Sequence, residues 1–147
     1  MDKERLSDEE FRNIFSKVPR LCIDIVINDS SGRILLTKRA IEPYFGEWHI
    51  PGGSVRFHET LEDAVKRIAK EELGIKIKPV KLLGFMEFLK EDKERRHSVS
   101  LVFQAEIIAG EITLDKQAAD FGFFEDIPEK TVAEHKDFIL KNLLSKI

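Results

Sequence analysis

The chain has 147 residues, 42% of them hydrophobic and 35% charged, with a formal net charge of −3. That length is enough for one domain over 1–147 with its own core, and a lone cysteine, Cys22, excludes a disulfide framework or a cysteine-built zinc site. The negative balance excludes a general attraction to nucleic acid or anionic membrane, so an anionic ligand must be held by local cations or by a metal.

Met1 to Arg5 carry both signs of charge, and no apolar stretch of signal or membrane-spanning length follows, which predicts a cytoplasmic protein. Ser7-Asp8-Glu9-Glu10 has capping-box spacing ahead of Phe11, Ile14, Phe15 and Val18, predicting a first helix over about 7–18. Leu21 to Ile27 reads as a strand, Asn28 to Gly32 as a turn, and Ile34 to Leu36 as the hairpin partner. Cys22 lies inside that apolar run and reads as a small buried hydrophobe. Pro43, Gly46, Pro51, Gly52 and Gly53 mark an irregular stretch that leads into a central helix from about Leu61 to Leu73, capped by Gly74. Two strands follow, Leu82 to Leu89 and His97 to Ile108, joined by the all-charged Lys90 to Arg96, which reads as a solvated loop. Asp120 to Phe124 suggests a short strand, and Glu129 to Ile147 a closing helix with Val132, Phe138, Ile139, Leu143 and Leu144 facing inward. This order predicts a layered α/β domain with a mixed sheet.

Chemistry concentrates on the central helix. At about 100° per residue, Leu61, Val65, Ile68, Ala69 and Leu73 share the face that meets the core, and Glu72 falls in the middle of that face. A carboxylate there costs several kcal/mol unless compensated, and a divalent cation is one compensator. Glu71 lies at the edge of the same face, so two oxygen donors of the kind preferred by Mg²⁺ or Mn²⁺ converge; the alternative is an ordinary exposed charge run. Pro51-Gly52-Gly53 lets the backbone turn sharply and leaves carbonyls free as further ligands. Arg67 stands four residues before Glu71 and within reach of Glu59. Asp24, in the middle of an apolar strand, needs a partner.

Taken together, Gly53, Glu59, Arg67, Glu71, Glu72, Gly74 and Ile75 match the Nudix box, G-x5-E-x7-R-E-U-x-E-E-x-G-U, over 53–75. The chain thus resembles the Nudix hydrolases. The resemblance implies an α/β/α sandwich and a loop-helix-loop that holds divalent metal against the diphosphate of a nucleoside diphosphate derivative, with Glu59 and Arg67 bracing the loop. The pattern's Glu after Arg is Ile68 here, with Ala69 in the next place, so one metal ligand is missing.

A similar loss typifies the GDP-mannose mannosyl hydrolase branch, which holds one Mg²⁺ and cuts the sugar C–O bond. This chain is similar to that branch from Leu6 to Ile27, including Asp24, and at Lys38-Arg39. By that resemblance Arg39 and Arg67 bind diphosphate with Arg56 nearby, the Gly52 carbonyl, Glu71, Glu72 and Gln117 hold Mg²⁺ or Mn²⁺, His97 lies near the phosphates, and the protein is a homodimer. Plain alternatives are a solvated strand-end Arg39, a surface amide at Gln117 and a core-edge His97. Two departures stand out: Ser54 replaces the branch's Arg after Gly-Gly, and Ala118 replaces its general-base His. Alanine takes no proton, which leaves Asp24, Asp120 or His97 to activate water. The expected activity is hydrolysis of a GDP-sugar at C–O; the alternatives are pyrophosphohydrolysis at P–O–P and a non-catalytic nucleotide-binding module.

Overall fold

The computed structural model describes residues 5–89 and 96–143. In chain order these form α1 (Asp8–Phe15), β1 (Arg20–Ile27), β2 (Ile34–Arg39), β3 (Trp48–His49), β4 (Gly52–Ser54), α2 (Leu61–Leu73), β5 (Lys76–Leu89), β6 (His97–Ala109), β7 (Ala118–Phe124) and α3 (Ala133–Asn142). Two sheets result: a mixed one in the order β4-β1-β6-β5, where β1 and β6 run parallel, and an antiparallel one in the order β3-β2-β7.

The expected β1–β2 hairpin is not formed. The two strands meet only at the bridge Asn28↔Ile34 and then enter different sheets. The reason lies in β1 itself, six of whose eight residues are buried, on both faces. Such a strand needs neighbours on both edges and layers on both sides, and β4 and β6 supply the edges.

The strand's alternation divides the core. Ile23, Ile25 and Ile27 pack with Ala64, Val65, Ile68, Ala69 and Leu73 of α2, whereas Val26 joins Leu36, Ile50, Met86, Val102, Phe138 and Ile139 on the side of α3. Helices therefore cover opposite faces, as the sandwich expectation requires. Each large side chain so enclosed stabilises the fold by about 1.5–3 kcal/mol.

Local chemistry sets the helix ends. Thr60 accepts a hydrogen bond from the Asp63 amide at the start of α2, and Gly74, at φ 66°, ends it in the left-handed conformation. Leu61 of the expected apolar face is exposed, and Ala64 is buried in its stead. The first helix has the expected Ser7–Glu10 capping box but stops at Phe15, since Pro19 and strand β1 follow within one turn. Strand β5 begins six residues earlier than expected, with its register shifted around Pro79. The closing helix is shorter than expected, starting after Val132; Leu143 is partly buried, and Leu144 lies outside the described residues. So does the charged loop except Arg96. No described helix is long and apolar enough to cross a membrane.

Candidate active site

A cleft of about 1160 Å³ opens between the sheets, the loop before α2, the second half of α2, and α1. Six arginines line it, Arg5, Arg20, Arg39, Arg56, Arg67 and Arg96, against four carboxylates, Asp8, Asp24, Glu71 and Glu72. The cleft is thus locally cationic in a chain of net charge −3, as an anionic substrate requires.

The loop before α2 is tied to the helix by Arg67. Its guanidinium donates to both Glu59 oxygens at 2.7 and 2.9 Å, to the Ser54 carbonyl at 2.7 Å and to Glu71 at 3.1 Å. Four of its five N–H groups are thereby committed. The geometry shows Arg67 and Glu59 bracing the loop, and it leaves one Arg67 N–H for a ligand. Burial opposes ionisation of Glu59, but the Arg67 guanidinium and the Arg56 amide hold its carboxyl below the ordinary range.

Glu71 is gripped in the same way, by Arg56 at 3.3 Å and Arg67 at 3.1 Å, with its side chain 46% exposed. Both of its oxygens are engaged by arginines, while its charge still acts on Glu72. Glu72 lines the same cleft and also a small void shared with Gly52, Arg39 and Gln117.

There it meets a carboxyl that the sequence pattern did not indicate. The Asp115 side chain, from the loop between β6 and β7, is in hydrogen-bond contact with it. Burial, then the charge and hydrogen bond of Asp115, push Glu72 up to about 8 against the pull of Arg39. Asp115 thus opposes loss of the Glu72 proton, and a divalent cation is the natural replacement for that proton. Among the described residues no three acidic, His or Cys side chains form a ready-made cage. The donor set is therefore two carboxylates, to be completed by the Gly52 carbonyl, the Gln117 amide and water, which suits Mg²⁺. Ile68, at the position of the missing pattern Glu, is buried against Gly53 and has no donor to offer.

Asp24 sits opposite Gly52 in the β1–β4 ladder, so close that a Cβ on Gly52 would lie 2.3 Å from Asp24 Oδ1 and from the Ile23 carbonyl oxygen. The Ser100 hydroxyl donates to the carboxylate. Burial raises Asp24 to about 7, partly offset by Ser100, Arg20 and Arg39. The partner that an acid in an apolar strand demands is thus a hydroxyl, with two arginines in electrostatic range. Of the three candidate bases, Asp24 lines the cleft, while Asp120 is exposed on β7 and accepts from the Phe121 amide. His97 is not among the residues lining the cleft: β6 presents Ser98 and Ser100 to it, and alternation turns His97 to the opposite face. Cys22 is buried as expected, and burial pushes its thiol up to about 11.

Arg39 is a half-buried cleft residue, held by a bond from Nε to the Pro43 carbonyl and paired electrostatically with Glu72. It is no solvated strand-end cation. Arg20, not singled out by the sequence, donates to Ser54 Oγ at 3.2 Å and lies over the Phe11 ring at 5.4 Å. A cation therefore stands beside Ser54, although residue 54 itself carries none.

With this geometry in view, residues 18–141 match the NUDIX domain model. The chain belongs to the Nudix family and is a Nudix hydrolase. It is 33% identical over 126 residues to the low-salt glycan biosynthesis protein Agl8 of Haloferax volcanii, covering 82% of this chain and 80% of that one. It is 36% identical over 123 residues to an ADP-ribose pyrophosphatase of Methanocaldococcus jannaschii, covering 82% and 71%. A MutT NUDIX hydrolase from Burkholderia pseudomallei superimposes with a TM-score of 0.78 at 30% identity, covering 86% of this chain and 99% of that one.

Proposed function

We propose that the chain hydrolyses a nucleoside diphosphate linked to a sugar, with Mg²⁺ as cofactor, at the P–O–P bond. One observation carries the choice of bond. The case for cutting at the sugar carbon rested, besides the resemblance at Leu6 to Ile27 and Lys38-Arg39, on a missing carboxylate, and Asp115 beside Glu72 restores the carboxylate count from outside the box. The pyrophosphatase name of the M. jannaschii relative supports the same reading. A GDP-sugar remains a member of this substrate class.

Glu72, Asp115, the Gly52 carbonyl and Gln117 would hold the metal, with Glu71 adding negative charge from the adjacent turn. When bound, Mg²⁺ neutralises phosphoryl charge and polarises the electrophile. Arg39 and Arg56 bind diphosphate oxygens, while Arg67 keeps the loop against α2. Asp24, poised near neutrality, accepts a proton from the attacking water as its oxygen bonds to phosphorus and the bridging P–O bond breaks. The products are a nucleoside monophosphate and a sugar phosphate.

The C–O reading gives GDP and free sugar instead, and isotope placement separates the two. ADP-ribose and GDP-mannose are each incubated with enzyme and Mg²⁺ in ¹⁸O-labelled water, and the products are weighed by mass spectrometry. Label in the nucleoside monophosphate or the sugar phosphate is expected; label in free mannose, with unlabelled GDP, overturns the bond assignment.

A further inference from the structure

The sheet formed by β4, β1, β6 and β5 has a second face, and α2 covers only part of it. Across the strand registers Ile23 pairs with Leu101 and Leu101 with Phe85, while Ile25 pairs with Phe103 and Phe103 with Leu82. Val99 opposite Glu87 and His97 opposite Leu89 continue these rows toward one end of the sheet. Alternation puts them on the face opposite Ser98 and Ser100, which line the cleft. On β1 the rows are closed under α2, where Ile23 and Ile25 are 0% exposed. Two strands away on β5 they are open, with Leu82 at 54%, Phe85 at 61% and Leu89 at 65%. Monomers rarely leave neighbouring large apolar side chains so open without a use for them.

We propose that this face binds a second copy of the chain. Its shape is a ledge: α2 stands on the sheet over β1 as a shoulder, and β5 is the outer edge, since among the described strands its one neighbour is β6. Such a ledge is its own complement. A two-fold axis along the strands, between β5 and β6, lays β5 of each copy over β6 of the other, so Phe85 faces the partner's Leu101 and Leu82 the partner's Phe103. Two sheets packed in this way lie about 10 Å apart, and each α2 then stands beside the open edge of the partner's β5.

Charge favours the same occupant. The rows contain two polar side chains, Glu87 and His97, set diagonally on adjacent strands. In the two-fold arrangement Glu87 falls next to the partner's His97, whose ring N–H suits a carboxylate, and symmetry makes the contact twice. A foreign peptide would have to carry both groups at matching positions. A stable dimer covers about 800 Å² on each partner, which three exposed side chains cannot reach alone, so the α2 shoulder is a required part of the contact. The resemblance read from the sequence implied a homodimer but named no surface for it. On this surface His97 acquires a role, and the cleft stays open because it lies on the other face of the sheet.

The test is the mass of the full chain by sedimentation equilibrium at micromolar concentration, independent of any substrate. The wild type is compared with Phe85→Lys, Glu87→Lys and the exchange of Glu87→Lys with His97→Glu, each first shown to be folded by circular dichroism. These side chains are not buried in the single chain, so their replacement leaves its core intact. The wild type is expected at twice 17.0 kDa. Phe85→Lys is expected to weaken association about thirtyfold or more, as loss of a central aromatic anchor does. Glu87→Lys is expected to weaken it about tenfold, and the exchange to restore it. A wild type of 17.0 kDa overturns the proposal, as does full-strength association of Phe85→Lys, which would put the contact on another surface. An exchange no better than Glu87→Lys overturns the two-fold arrangement.

Discussion

Asp24 shows how a single residue can combine a stability cost with a chemical use. Its carboxyl ordinarily ionises near 3.8 and is raised to about 7 in the folded chain, chiefly by burial. A raised carboxyl stabilises the fold below its unfolded pKa, and that contribution is lost as pH climbs through the folded value, because the native state keeps a proton that the unfolded state has released. Asp24→Asn, of equal shape and without charge, is therefore expected to stabilise the fold at pH 8 by an amount on the order of a few kcal/mol, seen as a higher melting temperature, and to change little at pH 4. The same variant is expected to lower kcat about 10²–10⁴-fold if Asp24 takes the water's proton. Thermal unfolding at the two pH values checks the first expectation and steady-state kinetics the second. A stabilised variant of full activity would remove Asp24 from the mechanism.

At the scale of elements, α2 and its preceding loop form one unit joined through Arg67. Lysine in its place keeps the charge but loses the fork that spans Glu59 and the Ser54 carbonyl, leaving a mostly buried Glu59 poorly paired. Arg67→Lys is expected to cost about 2–3 kcal/mol in denaturant unfolding and to reduce kcat without abolishing nucleotide binding, since Arg39 and Arg56 remain. An unchanged unfolding midpoint would show that the loop is held by something else.

This unit is also what the sequence made most visible. The apolar stripe, the Gly74 stop and the spacing of Glu59, Arg67 and Glu72 are local features, readable within a few helical turns. Strand partners were not, because the pairing of β1 with β6 joins residues far apart in sequence and depends on β1 needing cover on both faces. Asp115 escaped notice for a similar reason: it is a loop carboxylate without any periodic pattern, and only the fold brings it to Glu72. His97 was set near the phosphates by resemblance alone, whereas its strand parity, which puts it on the face opposite Ser98 and Ser100, was readable locally.

For the molecule as a whole, the metal-free state stores its electrostatic tension in carboxyls that keep protons. Glu72 is raised to about 8 through burial and Asp115, and Asp24 to about 7. Both shifts have the same sign, so without metal the fold is expected to weaken as pH rises from about 4 to about 8. A cation bound at Glu72 and Asp115 takes the place of the Glu72 proton, and binds better once that proton has gone. The stabilisation given by Mg²⁺ should therefore grow with pH. At a hundredfold excess over Kd it amounts to about 2.7 kcal/mol, or a melting shift of roughly 5–10 °C for a chain of this size. Melting curves with and without Mg²⁺ are expected to separate widely at pH 8 and hardly at pH 5, and to coincide at both for Glu72→Gln. Equal separation at the two pH values, or a full shift in Glu72→Gln, would place the metal elsewhere and return Asp115 to the role of an ordinary loop residue.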